Sequence, residues 1–398
     1  MRRLLQALKI KLKLHLTLFL LSWVRFKMYF EAKKYAKKYK NGTIKFIDEY
    51  SEFDLNTLTD KKLILFVVYQ PKSELMYERY FDFLSKLGRY IIVVSNGCLS
   101  RDFIEHHKDR AILFGERYNI GRDFGVYKEF IQLLRAKSIQ PKDLIICNDS
   151  IFANLKQNDT RFIEFMQKTE QDDFVGAAEF FGEPNYHVQS YFLKFSSKVL
   201  NGKNFIKFWE NFFITDNRRA NIHNGEIKLS QAIIKDGFKP RVFLGTDNVI
   251  NKIVDNKQNL FRFLSEFSAN HHLDGGAIDW AGHFNHRWFA MNANDKNKPL
   301  SPENYALQIE LLKIDIAKLI NRSGIISISP FFIVDEFGFP FLKRDLVYHE
   351  IIDWMLIRQH SKNFDQDLLE EYIDDQRLRK RPWFLSLKEW IMFKSGMI

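Results

Sequence analysis

Residues 63–69 read LILFVVY, bounded by Lys61 and Lys62 on one side and Pro71 on the other. An apolar run of this length without alternation suits a strand buried on both faces. Three similar runs follow. Residues 90–94 (YIIVV) end at Ser95, Asn96 and Gly97, residues 111–114 form a shorter run, and residues 144–147 (LIIC) end at Asn148, Asp149 and Ser150. Between the first two, Tyr77, Tyr80, Leu84 and Leu87 share one helical face, with Ser73 as the cap and Gly88 as the stop. Helical spacing near 100–107 and 124–136 fills the other gaps. Strands alternating with helices require right-handed crossovers and a parallel sheet, so the fold class is α/β. Ligands of such sheets sit beyond the carboxyl ends of the strands. The polar residues there are Gln70, Ser95, Asn96, Asn119 to Asp123, and Asn148 to Ser150.

Downstream, residues 174–180 and 188–195 read as strands, 205–213 and 226–236 as helices with Gly237 as a stop, and 241–244 as a last strand. From about 255 the chain turns helical. Ser301, Pro302 and Glu303 open a helix whose face carries Leu307, Leu311, Ile314 and Ile320. A helix is expected over 345–358, and the tail over 377–392 is basic and aromatic, with Trp383, Phe384 and Trp390. The organisation expected is a basic arm (1–40), an α/β domain (55–250) and a mostly helical C-terminal region (251–398).

The 398 residues are 46% hydrophobic and include 39 Phe, which excludes wholesale disorder and supplies a large core. The net charge of +11 is confined to one place. Residues 1–40 hold twelve Lys and Arg and a single acid, Glu31, so the rest of the chain is neutral. A neutral body argues against nucleic acid as a partner. No apolar run reaches the roughly 18–20 residues of a membrane span. The best stretch, 14–24, contains His15, Thr17 and Ser22 and runs into Arg25, Phe26 and Lys27 without a small-residue cleavage site, so the arm is expected to stay on the mature protein. Residues 8–18 alternate with a strand period. The functional expectation for the arm is an anionic membrane surface, to which each basic residue adds on the order of 1 kcal/mol. The two cysteines, Cys98 and Cys147, exclude a disulfide framework and read as small reduced core residues.

Three motifs carry chemistry. Residues 119–125 (NIGRDFG) contain Asp-Phe-Gly, but a protein kinase would also need a Gly-rich loop upstream and a His-Arg-Asp catalytic loop, and neither is present. The glycines here suit a backbone that approaches a ligand and turns into a helix. Arg122 suits a diphosphate and Asp123 a ribose hydroxyl or a metal, unless the two form a structural pair in a tight turn. Asp149, at a buried strand end, needs a cation or donors. A divalent metal shared with a diphosphate meets that need, as does a capping role. Glu226, in GEIKLSQ (225–231), fits either a general base facing the sheet edge or ordinary electrostatics in the first turn of a helix. His271, His272, Asp274, His283 and His286 match no metal spacing and read as surface or interface residues.

NIGRDFGVYK (119–128), CNDS (147–150), HVQSYF (187–192), Phe208-Trp209 and GEIKLSQ (225–231), with GFPFLKR (338–344) downstream, resemble the rhamnan synthesis protein F family of bacterial polysaccharide and lipopolysaccharide assembly. The resemblance runs from about 63 to 243 and leaves the arm uncovered. It implies a GT-A-like, Rossmann-related glycosyltransferase using a nucleotide sugar, with dTDP-L-rhamnose as the first candidate donor. By that resemblance Asn148, Asp149 and Ser150 take the place of the metal-binding Asp-x-Asp, with only one carboxylate kept, and the metal is Mg²⁺ or Mn²⁺ on Asp149. Glu226 takes the place of the base of inverting enzymes. Tyr69, Asn96, Asn119, Gly121, Arg122, Asp123, Asn148 and Ser150 are then expected around the nucleotide sugar, and His187, Gln189 and Ser190 on the acceptor or sugar side. The acceptor would be lipid-linked or a polysaccharide, and the location cytoplasmic, on the inner face of the membrane. A different class remains as the alternative: a non-catalytic assembly protein that keeps the fold.

Overall fold

The computed structural model describes residues 43–47, 54–71, 74–181, 186–269, 301–344, 346 and 354–378, with scattered positions between 15 and 37. A short strand β1 (Lys45–Phe46) precedes four strands built from the apolar runs: β2 (Lys62–Val68), β3 (Tyr90–Asn96), β4 (Leu113–Arg117) and β5 (Asp143–Asn148). The order β4-β3-β2-β5 is parallel throughout. Register aligns Val68 with Ser95 and Val67 with Asn148, so these strands end nearly level and open a common edge.

The expected burial on both faces holds residue by residue. Ile64, Phe66 and Val68 point into one hydrophobic cluster, and Leu63, Leu65 and Val67 into the other. The first cluster contains helices α1 (Leu75–Ser85) and α2 (Arg101–His107). The second contains α3 (Arg122–Ala136), α4 (Lys203–Asn211) and α5 (Lys228–Lys235). Ser100 caps α2 by accepting the Phe103 N–H, and Gly88 stops the chain after α1 with a left-handed φ of 62°. Ser73 lies outside the described residues.

The sheet continues past β5 with a change of sense. Strands β6 (Ile151–Ala153), β7 (Phe174–Phe180), β8 (His187–Val188), β9 (Phe192–Ser196) and β10 (Pro240–Leu244) follow in the chain. Among the described residues the nine-stranded order is β1-β4-β3-β2-β5-β9-β7-β10, with β8 on β7. The β5–β9 and β9–β7 pairs are antiparallel and β7–β10 parallel, so the sheet is mixed but mostly parallel. Two expectations shift. The third strand runs to Arg117, since its polar end, Glu116 and Arg117, is masked by charge in the sequence. The single strand expected over 188–195 divides into β8 and β9, and Gln189, Ser190 and Tyr191 form the link between them.

Strand β6 leaves this sheet and pairs antiparallel with β11 (Phe341–Lys343), nearly two hundred residues away. The helices α6 (Pro302–Ser323), α7 (Pro330–Phe337) and α8 (Gln366–Leu378) pack into the same cluster as α1, through residues such as Ile316, Phe332 and Tyr372. Ser301 caps α6 as its sequence implies. The first turn of α7 is capped from elsewhere: the fully buried Glu266 carboxylate accepts the N–H groups of Phe331 and Phe332, each at 2.9 Å. Burial pushes its pKa up to about 7. Glu266→Ala is therefore expected to cost roughly 1–3 kcal/mol in urea unfolding, because two buried donors lose their acceptor. Because the folded pKa lies above the unfolded one, wild-type stability should decline as pH rises from about 4.5 toward 7, and the alanine variant should lose that slope.

Cys147 is buried, but Cys98 is exposed, because the chain leaves β3 at Gly97 and turns outward. The positions described between 15 and 37 are helical. Among the described residues no helix is long and apolar enough to cross a membrane. Of the helix expected over 345–358 only its end is described, within Trp354–His360. The histidines of 271–286 and the tail with Trp383 and Trp390 lie outside the described residues.

Candidate functional site

The level ends of β2, β3 and β5 open onto a cleft of about 900 Å³. Its floor is Asp149. The backbone N–H of Tyr69 (3.0 Å) and the hydroxyl of Tyr77 (2.8 Å) both donate to Asp149 Oδ2. The cation that a strand-end carboxylate needs is also present: Arg344 lies 3.4 Å from Oδ2 and donates to the Asp149 carbonyl at 3.2 Å. The β6–β11 pairing explains this contact. Lys343 is in register with Ile151, so Arg344 falls beside Ser150 and donates its backbone N–H to that carbonyl at 3.0 Å. Burial opposes the charge of Arg344, but the carboxylates of Asp375 and Asp149 hold its pKa above the ordinary range.

The second wall is the start of α3. Gly121 and Arg122 are both left-handed, with φ of 76° and 53°, and turn the chain sharply into the helix. The Gly121 N–H donates to Asp216 Oδ1 at 2.6 Å and Arg122 Nε to the Asp216 carbonyl at 3.0 Å. Burial and the nearby Arg218 lower the Arg122 pKa. The following Asp123 accepts from Asn148 Nδ2 at 2.7 Å. Burial, then the charge of Asp149, raise its carboxyl to about 7, against the weaker pull of Arg122 and Arg117. The structure thus brings a second carboxylate to Asp149 from a different element. Gly125 serves packing and not a ligand: a Cβ there would sit 2.2 Å from the Ile120 carbonyl and about 3 Å from the Arg117 guanidinium. That buried guanidinium pairs with Glu129 at 2.9 Å and donates to Asn96 Oδ1 at 2.6 Å, which fixes Asn96 at the cleft edge.

Glu226 lines the same cleft. It does not stand in a first helical turn. Residues Arg218–Ala220, a π-wound segment Asn221–Ile227 and α5 run on as one helical stretch, so the helix-start account of Glu226 does not apply. Such π segments recur at functional sites. The Ser190 N–H (2.6 Å) and hydroxyl (2.9 Å) both donate to Glu226 Oε1, and His187 Nε2 lies 3.7 Å from Oε2. A Cβ on Gly225 would come within 2.9 Å of the Phe124 ring, so glycine is what lets this segment close onto α3.

Of the residues expected at the site, Tyr69, Asn96, Asn119, Arg122, Asp123, Asn148, Asp149, Ser150, Ser190 and Glu226 line the one cleft. Gly121 lies behind the Arg122 turn. His187 and Gln189 are buried behind Ser190 and back the wall without lining it. Tyr191, Asp216, Arg218, Asn221, Lys343 and Arg344 also line it and were not singled out as site residues by sequence reasoning. GFPFLKR (338–344) was the available signal for the last two.

The fold and cleft define an α/β protein with a polar cleft at the carboxyl edge of a mostly parallel sheet, consistent with a GT-A-like architecture. Residues 91–264 match the family model described as rhamnan synthesis protein F, which bears out the resemblance carried by the motifs within that span. A protein of Sinorhizobium fredii (strain NBRC 101917 / NGR234), uncharacterized protein y4gN, is 32% identical over 200 residues, covering 46% of this chain and 50% of that protein. The chain therefore spans about half the length of this curated relative.

Proposed function

We propose that this protein is an inverting glycosyltransferase that moves a sugar, with rhamnose from dTDP-L-rhamnose as the first candidate, onto a growing cell-surface polysaccharide or lipopolysaccharide. The observation that carries the reading is three carboxylates lining one cleft at the strand ends: Glu226 from the π-wound segment, with Asp123 and Asp149. The nucleotide lies near Tyr69 and Asn96, and Arg122 faces the diphosphate. Glu226 Oε1 is held by Ser190, and Oε2, 3.7 Å from His187 Nε2, takes the proton of an acceptor hydroxyl. As that proton moves to Glu226, the acceptor oxygen bonds to the anomeric carbon. The bond from that carbon to the diphosphate breaks on the opposite face, and its electron pair leaves with the nucleoside diphosphate. Arg122 and Arg344 stabilise the charge that develops. Asp123 and Asp149 suit a divalent ion of the Mg²⁺ type, which binds through one or two carboxylates and completes its shell with phosphate oxygens; bound there, it would neutralise the leaving diphosphate.

One observation favours the non-catalytic alternative: Asp149 already has Arg344, Tyr77 and the Tyr69 N–H as partners. Release of nucleoside diphosphate from a panel of nucleotide sugars, with membranes supplying acceptor, separates the two readings. Release above the membrane-only control supports transfer. A silent panel sinks it.

The arm supports a place on an anionic membrane surface. Trp23, Phe26, Tyr29 and Phe30 are exposed there beside Lys27, Lys33 and Lys34, the mixture that suits an interface. Deleting residues 1–40 is expected to release the protein from anionic vesicles, as raised salt should in the full chain. Nucleotide-sugar turnover in solution should stay within several-fold of wild type. A truncated protein that still pellets with anionic vesicles at low salt would remove the arm as the anchor.

A further inference from the structure

Two buried polar atoms on the cleft wall have no hydrogen-bond partner among the described residues: the Tyr191 hydroxyl oxygen and Asn221 Oδ1. Both residues line the cleft, both are only 6% exposed, and the two unpaired atoms are themselves buried. Buried polar atoms are paired in about nine cases in ten, so two unpaired ones on residues of one cleft call for an explanation.

Their chemistry is fixed. Burial, then the charge of Glu226, holds the Tyr191 phenol well above its usual pKa, so it keeps its proton and is a donor at neutral pH. Its ring stands edge-on to Phe341 at 6.0 Å, which orients it. Asn221 donates through Nδ2 to the Thr215 carbonyl at 2.8 Å, so its amide orientation is set and the oxygen end is the open one. The residues lining the cleft thus include a donor and an acceptor without partners among the described residues.

The π winding explains why Asn221 stands beside Glu226. Five residues of α-helix turn about 500°, leaving the first and last about 140° apart. In a π-helix the i→i+5 hydrogen bond stacks such residues on one face. Asn221 and Glu226 are five apart inside the π-wound segment, and both line the cleft. An anion fits these groups poorly, since it brings no proton for Asn221 Oδ1 and meets the Glu226 charge. A neutral hydroxyl both donates and accepts. Phe124 and the exposed Ile222 offer apolar surface in the same cleft for the C–H face of a ring.

We propose that Tyr191 and Asn221 form a sugar-hydroxyl subsite that holds a hexose ring against Glu226. This rests on the transferase reading, and the hydroxyls belong either to the sugar of the donor or to that of the acceptor.

The test uses the full chain and its Tyr191→Phe and Asn221→Ala variants, with folding checked by thermal melts. The probes are dTDP-L-rhamnose, UDP-glucose, free dTDP and UDP, and methyl α-L-rhamnoside, titrated by calorimetry and saturation-transfer NMR. Tyr191→Phe, which removes one oxygen, should weaken a sugar-bearing probe about three- to tenfold, the worth of one neutral hydrogen bond, and leave the free diphosphates unchanged. A loss confined to the nucleotide sugar places the donor's ring there; a loss on the methyl glycoside places the acceptor's. Unchanged binding of every sugar probe in both variants overturns the subsite and leaves the two atoms to water. An equal loss on free dTDP or UDP overturns it too. Wild type that binds a free diphosphate but gains nothing from any sugar overturns the subsite alone. Wild type that binds none of the probes overturns the transferase reading and the subsite with it.

Discussion

Glu226→Gln is expected to slow single-turnover sugar transfer by roughly 10²–10⁴-fold, or about 3–5 kcal/mol of barrier, while leaving nucleotide-sugar affinity close to wild type. Gln keeps an acceptor for the Ser190 N–H and hydroxyl, so the wall that carries it should survive the exchange. It cannot take a proton at neutral pH. An ordinary surface carboxylate in a helix would change stability by a fraction of a kcal/mol and leave turnover alone. The two accounts differ by orders of magnitude in rate, so a single-turnover measurement at saturating donor, with donor affinity measured separately, decides between them. Transfer within about threefold of wild type, or a loss of donor binding in proportion to rate, removes Glu226 as the base and makes Asp123 the next candidate.

Glu226 also shows how far a sequence can be read. The parallel half of the sheet was legible because residues 63–68, 90–94 and 144–147 are apolar on both faces, a pattern few other environments accept. The strand ends were legible for the same reason, since polar residues break each run at the edge where ligands bind. Local periodicity does not report the pitch of a helix, so the π winding that sets Asn221 beside Glu226 was invisible. Nor does it report pairing across long separations. The contact of Arg344 with Asp149 depends on β11 lying against β6, and the hydroxyl of Tyr77 reaches Asp149 from a helix whose spacing marked it only as core. Short links between strands defeat it too: Gln189, Ser190 and Tyr191 sit in a stretch that reads as one strand.

Those contacts alter what Asp149 should do when replaced. From sequence alone, Asp149→Ala would be expected to remove function and spare the fold. In the structure, alanine would strip the acceptor from the Tyr69 N–H, the Tyr77 hydroxyl and Arg344, and buried groups left unpaired cost roughly 1–3 kcal/mol each. Asp149→Ala is therefore expected to be measurably less stable in urea. Asp149→Asn is the cleaner probe, because it keeps an oxygen for the two neutral donors and removes the charge. It should fold, lose transfer by about 10²-fold or more, and respond weakly to chelator. Wild-type turnover in Asp149→Asn, with and without chelator, would sink the role of the charge. The variant also has a signature apart from activity. Burial, then Asp149, raises the Asp123 carboxyl to about 7, so wild-type Asp123 ionises as pH rises through neutrality, and a function needing its anion should gain along that limb. Removing the Asp149 charge takes away the second cause and leaves the first. Carboxyl-carbon NMR should then show the Asp123 titration moving to lower pH in Asp149→Asn without reaching the ordinary carboxylate range; a titration that stays near 7 would mean that the two carboxylates do not act on one another across the cleft.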